Sequence, residues 1–232
     1  MNEELNFDSG PRQLAGRLFS PQEGAEGGIG VLFIHGSDSH QGGYHSRAEA
    51  VTESLGATCL TFDLSGHGES EGSREQLSAR DHLGDCLAAF DTLAGRPEVD
   101  PSRIGVCAAS YGGFLAALLI AERPVGSLLL RAPALYPDSD LDRAGGPRHS
   151  GVEEPETAAS LRNVAGYNGP MLVVESERDK IIPHAVIEAY LSVYRNGRHE
   201  VMPDVGHRLD TERSRALFIE VIVEWFRQTL GV

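Results

Sequence analysis

The chain has 232 residues, 41% of them hydrophobic and 23% charged, which is the balance of an ordinary soluble protein with one full core. Its formal net charge of −14 excludes a nucleic-acid surface or an anionic membrane as a favourable partner, because phosphate groups would be repelled.

Apolar strand-like runs alternate with helix-like segments along the chain. GIGVLFIHG and ATCLTFDLSGHG predict two buried strands separated by a helix near residues 46–55, and a second helix is predicted over 77–93. RIGVCAASYGGFLAALLIAERP predicts a strand followed by an apolar helix. Then come the strands VGSLLLRAP and PMLVVESERD, a helix near 184–194, the short strand RHEVMPDVGH and the closing helix TERSRALFIEVIVEWFRQTL. Near-continuous apolar strands between helices predict a doubly wound α/β fold, with a mostly parallel sheet covered on both faces.

Residues from about 134 to 167 interrupt this rhythm. They are rich in Pro, Gly, Asp and Arg and show little periodicity. An irregular segment of this length inside a compact domain is usually functional or mobile. We therefore predict a single domain over residues 1–232 with a short lid-like insertion at about 134–167.

The three cysteines, Cys59, Cys86 and Cys107, lie in apolar stretches and lack metal-ligand spacing. They are typical of reduced core thiols in a reducing compartment. The N-terminal MNEELNFDSG has no apolar region typical of a signal peptide, and no apolar run reaches membrane-spanning length. A cytoplasmic protein with no membrane partner is predicted.

Ser110 stands alone between a predicted strand and a predicted helix. Ligands of an open parallel sheet bind beyond the carboxyl ends of its strands, where this serine falls. A serine becomes a nucleophile only when a base takes its proton and a sharp turn exposes its oxygen, and such a turn needs small neighbours. Ala108 and Gly112 are small, and Gly113 follows. AASYGG alone is equally compatible with an ordinary glycine-rich turn, so the partners of the serine decide.

A base and an acid follow in the chain order Ser, Asp/Glu, His. Asp179 ends the strand PMLVVESERD, and His207 follows the short strand RHEVMPD. Glu175, Glu177 and Asp204 are alternatives for the acid, but only Asp179 is followed by KIIP, a loop that leads into a predicted helix.

An oxyanion needs backbone donors near the serine. IHGSDS ends the first buried strand, so the N–H of Ser37 is one candidate, and the N–H of Tyr111 is the other. His35 is expected to be structural. Because His40, His45 and His67 form no metal-ligand pattern, neither a metal nor a cofactor is predicted.

With IHGS, FDLSGHGESEG, AASYGG, ERDKIIP and VGH, the chain resembles the α/β-hydrolase family over nearly its whole length. The resemblance implies that Ser110 is the nucleophile, His207 the base and Asp179 the residue that orients the base. It also implies that Ser37 and Tyr111 supply the oxyanion hole.

SYGG with VDPSRIGV before it is similar to small single-domain carboxylesterases, to dienelactone hydrolases and to the catalytic domain of prolyl-oligopeptidase-type peptidases. The chain departs from the family at Ala108, where glycine is usual, and in the shortness of the lid-like segment. We predict a serine hydrolase that cleaves a small-molecule carboxylic ester or thioester through an acyl-enzyme. A peptidase or amidase with the same triad and a non-catalytic binding scaffold are the alternatives.

Overall fold

Eight strands form one sheet in the part of the chain that the computed structural model describes, residues 1–21, 28–147, 158–194 and 197–231. The strands are β1 (Asn2–Ser9), β2 (Arg12–Phe19), β3 (Gly28–Ile34), β4 (Thr58–Phe62), β5 (Val99–Ala109), β6 (Ser127–Arg131), β7 (Met171–Ser176) and β8 (Arg198–Met202). Across the sheet their order is β1-β2-β4-β3-β5-β6-β7-β8, and all neighbours from β4 to β8 are parallel. The predicted doubly wound, mostly parallel α/β fold is confirmed.

Helices cover both faces of the sheet. They are α1 (His45–Leu55), α2 (Ala79–Ala94), α3 (Tyr111–Leu119), α4 (Ala159–Gly166), α5 (His184–Val193) and α6 (Glu212–Thr229). The helices α1 and α6 share one apolar cluster with one face of the sheet, and the helices α2 to α5 share a second cluster with the other face. Capping boxes at Ser78 and Thr211 fix the starts of α2 and α6. Within the described ranges no helix is both long enough and apolar enough to span a membrane.

The hairpin of β1 and β2 was not predicted. Its outer strand, NEELNFDS, buries only Phe7 and Ser9, so the apolar alternation is too short to be recognised. The hairpin turns at Gly10, whose φ of +57° favours glycine. Antiparallel pairing of β2 with β4 then braces the loop that follows β4, where Ala15 accepts a hydrogen bond from the N–H of Asp63 at 2.9 Å.

The lid-like segment is only partly irregular. Of the predicted span 134–167, residues 148–157 lie outside the described residues. The prediction of irregular structure is wrong for Ala159–Gly166, which forms α4 and buries Leu161 and Val164 in the core. Its start carries no local capping signal, because the cap comes from Asp138, whose carboxylate accepts the N–H of Ala159 at 2.6 Å. The assignment of this segment as a lid stays a prediction.

Candidate active site

Ser110 lies on a sharp turn between β5 and α3. Its backbone has φ 55° and ψ −121°, a conformation that costs on the order of 1–3 kcal/mol for a non-glycine residue. The turn requires glycine at position 112, because a Cβ there would lie 2.5 Å from the carbonyl oxygens of both Ile34 and His35. The carbonyl of Arg131 on β6 accepts the Ser110 N–H at 3.0 Å, which fixes the turn to the neighbouring strand. The strained backbone presents the serine hydroxyl at the carboxyl edge of the sheet.

The structure brings Ser110, His207 and Asp179 into one hydrogen-bonded chain. His207 Nε2 lies 3.1 Å from Ser110 Oγ, and its Nδ1 lies 2.7 Å from Asp179 Oδ2. A carboxylate can only accept, so Nδ1 carries the proton and donates it to Asp179. Nε2 is then free to accept the proton of the serine hydroxyl. An arrangement of this kind can activate an alcohol as a nucleophile.

Asp179 is held as a carboxylate. Its side chain is only 5% exposed. Burial by itself raises the pKa of this carboxyl, but hydrogen bonds from His207 and from the N–H groups of Ile182 and Ile181 bring the pKa below its ordinary value. The two amides donate to Oδ1 at 2.9 and 2.8 Å, which leaves Oδ2 for the imidazole. At neutral pH the acid is therefore ionised and aimed at Nδ1.

The three alternative acids are engaged elsewhere. Glu175 contacts His184 and His199 at 2.7 and 3.0 Å. Glu177 accepts the N–H of Asp204 at 2.7 Å, and the Asp204 carboxylate pairs with Arg178. Among the described contacts of His207, only Asp179 supplies a carboxylate.

His35 sets the direction of the Ser37 N–H. The N–H of Leu64 donates to His35 Nε2 at 3.0 Å, so the ring proton is on Nδ1, which donates to the carbonyl of Gly36 at 2.7 Å. In a trans peptide the Ser37 N–H points opposite to that carbonyl. Gly36 lies against Ser110, since a Cβ there would be 3.4 Å from the serine Cβ. His35 was expected to be structural, and its contact adds orientation of the peptide beside the serine.

The Tyr111 N–H is the second predicted donor. Tyr111 is the first residue of α3, and the first N–H groups of a helix have no partner within it. The helix dipole adds positive potential at the same place. Both predicted donors therefore belong to residues beside the serine, since Tyr111 follows Ser110 in the chain and Ser37 follows Gly36, which lies against it.

Two further buried histidines contact the residues that carry these N–H groups, through the carbonyl of Ser37 and the hydroxyl of Tyr111, and sequence reasoning missed both. His67 contacts the carbonyl oxygens of Ser37 and Ser65, with Nε2 2.7 Å from the first and Nδ1 3.0 Å from the second. His82 on α2 contacts the carbonyl of Ser65 at 3.1 Å and the hydroxyl of Tyr111 at 2.8 Å. The motif FDLSGHGESEG marked the loop of His67, but no local signal tied His82 to it.

The aspartate of the motif FDLSGHGESEG, Asp63, has a structural role. It is buried at the end of β4 and accepts hydrogen bonds from the N–H groups of Gln41 and Glu69 at 2.7 and 3.0 Å. Gly68 packs so tightly on it that a Cβ would lie 2.1 Å from a carboxylate oxygen. Asp63 therefore joins the loops after β3 and β4, which carry Ser37 and His67.

Arg131 was also missed. Its buried guanidinium donates from Nη2 to the carbonyls of Gly206 and His207, at 3.0 and 2.7 Å. The same nitrogen lies 2.9 Å from Ser176 Oγ. The side chain therefore anchors the turn that carries the histidine.

A cavity of about 870 Å³ opens beside the serine. Ser37, Ser110 and His207 line it together with Tyr44 on the α1 side. Tyr136, from the lid-like segment, packs on Tyr111, with ring centroids 6.1 Å apart. Within the described ranges, no group of His, Cys, Asp and Glu side chains has the arrangement of a metal site.

Comparison with known proteins gives one family. The family model described as serine aminopeptidase, S33, matches residues 29–153, about half of the chain. An uncharacterized protein of Mycobacterium tuberculosis is 29% identical over 201 residues, which cover 83% of this chain and 67% of that protein. The palmitoyl-protein thioesterase ABHD10 of Pongo abelii is 32% identical over 111 residues, which cover 47% of this chain and 34% of that protein.

Solved structures share the fold. The chain superposes on Est1E of Butyrivibrio proteoclasticus, determined with ferulic acid bound, with a TM-score of 0.80. Sequence identity is 22%, and the match covers 98% of this chain and 100% of that one. At this identity the likeness shows the architecture alone.

Proposed function

Because the chain belongs to the serine aminopeptidase S33 family and is a hydrolase of the α/β-hydrolase superfamily, we propose that it cleaves a small carboxylic ester or thioester with Ser110 as nucleophile. The observation that carries this proposal is the continuous hydrogen-bonded chain from Ser110 Oγ through His207 to Asp179. The relationship to a named thioesterase supports acyl transfer, although the chain spans only about a third of that relative's length.

The first half of the reaction forms an acyl-enzyme. His207 Nε2 takes the hydroxyl proton as Ser110 Oγ attacks the acyl carbon, and Asp179 stabilises the resulting imidazolium. The negative charge that develops on the acyl oxygen is met by the N–H groups of Ser37 and Tyr111. As the tetrahedral intermediate collapses, His207 returns the proton to the leaving alcohol or thiol.

The second half releases the acid. A water molecule gives a proton to His207 Nε2 and attacks the acyl carbon, and the same two N–H groups hold the second oxyanion. Collapse breaks the bond to Ser110 Oγ, which recovers its proton from His207. Neither half needs a metal or a cofactor.

Covalent labelling tests this proposal directly. A fluorophosphonate probe should label the purified protein on Ser110, and Ser110→Ala should abolish both the label and the hydrolysis of p-nitrophenyl acetate. Ser192→Ala, an exposed serine on α5, is the matched control and should behave as the unaltered chain. Label on another residue, or unchanged turnover in Ser110→Ala, would refute the mechanism. A folded protein that is not labelled by the probe and hydrolyses no ester would favour the alternative of a non-catalytic binding scaffold.

A peptidase or amidase is the second candidate, and the description of the matching family as a serine aminopeptidase favours it. The same triad serves both reactions, since His207 protonates an amine leaving group as readily as it protonates an alcohol. The p-nitroanilide and the p-nitrophenyl ester of one acyl group separate the two candidates. If the protein is an ester hydrolase, it should turn over the ester alone at practical enzyme concentrations. If it is a peptidase, it should cleave both substrates, and it should cleave an aminoacyl p-nitroanilide faster than the p-nitroanilide of a simple acyl group.

A further inference from the structure

Two buried guanidinium groups line the cavity beside Ser110. Arg47 on α1 is 7% exposed, and Arg131 at the end of β6 is 4% exposed. The Nε atom of each is buried without a hydrogen-bond partner. All ion pairs between arginine and carboxylate side chains in the described ranges involve other arginines. The cavity wall therefore carries two positive charges without an ion-pair partner.

The immediate partners of Arg47 are neutral. Its Nη1 donates to the carbonyl of Gly43, and the guanidinium carbon lies 5.0 Å from the centre of the Tyr44 ring and 5.6 Å from that of Phe218. Burial raises the pKa of Tyr44 to about 12, so its hydroxyl stays uncharged. Aromatic faces stabilise a cation only partly, and they bring no negative charge.

The immediate partners of Arg131 are neutral as well. They are two carbonyl oxygens and the Ser176 hydroxyl, with the Phe218 ring 5.7 Å from the guanidinium carbon. Asp179 acts on this guanidinium from a distance, but its oxygens are occupied by His207 and two amides. Burial lowers the pKa of Arg131, and the nearby charge of Arg47 lowers it further. Two like charges withdrawn from water are costly without a counter-charge.

The rim of the cavity does not supply that counter-charge. It carries three exposed carboxylates and three exposed guanidiniums, so its formal charges balance; they are Asp38, Asp204 and Asp210 against Arg208, Arg213 and Arg215. Two of the carboxylates are already paired with arginines outside the cavity, Asp38 with Arg74 and Asp204 with Arg178. The formal charge of the buried wall thus stays at two positive.

We propose that this wall binds an anionic group of the substrate, a carboxylate or a phosphate, on the part of the ester that is not cleaved. The proposal rests on the proposed function, in which Ser110 opens the ester. A carboxylate or phosphate oxygen beside Arg47 would fill its unused donors with charge-assisted hydrogen bonds and neutralise part of the buried charge. The net charge of −14 repels anions from the molecule as a whole, so affinity for one must come from this local wall. An ammonium group, as at a peptide N-terminus, would be repelled from it.

A pair of esters matched in length tests the proposal. Mono-p-nitrophenyl succinate carries a carboxylate where p-nitrophenyl pentanoate carries an ethyl group of similar length, and a phosphonate analogue of the succinate forms a third arm. We expect kcat/KM to be about 10- to 100-fold higher for a charged ester than for the neutral one, the factor expected of one or two charge-assisted hydrogen bonds. Whether the carboxylate or the phosphonate arm shows the larger factor identifies the anion.

Three variants assign the effect to Arg47. Arg47→Gln should bring the ratio of the two kcat/KM values close to one, and Arg47→Lys, which keeps the charge, should restore part of it. Arg123→Gln is the control, because it removes the same formal charge from an exposed pair with Asp91 and should keep the full ratio. A ratio near one in the unaltered chain, or a ratio that Arg47→Gln leaves unchanged, would overturn the proposal.

A binding measurement keeps the anion site separate from the chemistry. In Ser110→Ala, which cannot form an acyl-enzyme, succinate should raise Tm whereas succinamide should not, and Arg47→Lys should reduce the shift. If no ester is cleaved and no label forms but succinate still binds through Arg47, the proposed function fails and the anion site stands. If esters are cleaved and neither succinate nor inorganic phosphate shifts Tm, the anion site fails and the hydrolase stands.

Discussion

Acidification should destabilise the fold through His35. Burial lowers the pKa of this imidazole from 6.5 to about 4 in the folded chain. Between these values the unfolded state binds more protons than the folded state, so stability decreases as the pH falls. The loss begins near pH 6.5 and is complete once the pH has fallen through about 4. At 1.36 kcal/mol for each pH unit between the two values, the free energy of unfolding falls by about 3 kcal/mol.

The physical reason is the contact that fixes the ring. Leu64 N–H donates to Nε2, so a second proton on the ring would break that bond and place a charge in the core. His35→Asn keeps a neutral donor near Gly36 and has no group that titrates in this range. The substitution itself should lower the free energy of unfolding at every pH. On going from pH 7 to pH 4, however, the free energy of unfolding of His35→Asn should fall by about 3 kcal/mol less than that of the unaltered chain.

Urea unfolding measures this difference. The single tryptophan, Trp225, is buried in α6 and reports the transition by fluorescence at pH 7, 6, 5 and 4. Burial also lowers the pKa of His82, so the unaltered chain should lose more stability than His35 alone explains. Only the difference between the two chains tests His35. Equal losses in both chains would show that His35 does not stay neutral in the folded state, and the orientation inferred for the Ser37 peptide would fail with it.

Three other substitutions test the candidate site. Gly112→Ala should lower both Tm and fluorophosphonate labelling, because its methyl group would lie 2.5 Å from two carbonyl oxygens. In the control, Gly166→Ala at the end of α4, the methyl group meets nothing within 4 Å, so neither quantity should change. Equal effects of the two substitutions would argue against the strained turn. Asp179→Asn should lower kcat of ester hydrolysis by about 10³- to 10⁴-fold, because the amide no longer holds the proton on His207 Nδ1. The matched variant Glu177→Gln should keep the kcat of the unaltered chain. The reverse outcome would exchange the roles of the two acids. His67→Phe should lower kcat more than it changes KM, because the carbonyl of Ser37 loses its contact with Nε2 and the backbone of Ser37 is held less firmly. An unchanged kcat would show that His67 does not support the proposed oxyanion hole.

The sequence predicted most of the architecture because strand and helix periods are local properties. Continuous apolar runs between helices are sufficient to predict a parallel sheet with two covered faces. Where local signals were weak, prediction failed. The edge strand β1 buries too little to show a pattern, and α4 takes its cap from Asp138, 21 residues away.

In the candidate site, too, the features that depend on neighbouring residues were predictable and those that depend on distant residues were less so. The turn at Ser110 is marked in the sequence because its steric demand falls on neighbours within two positions. The sequence favoured Asp179 as the acid over Glu175, Glu177 and Asp204, and the structure pairs His207 with Asp179.

What the sequence by itself determined is therefore local: the period of each element, the small residues around Ser110, and the chain order of a candidate nucleophile, acid and base. Only the tertiary structure decided which distant groups meet. It placed His35, His67 and His82 around Gly36, Ser37 and Tyr111, where the oxyanion hole is proposed, and it buried Arg47 and Arg131 beside one cavity. Backbone geometry ties each residue to its near neighbours, whereas these contacts, between residues 29 to 97 positions apart, exist only after the sheet has assembled and its two cores have packed.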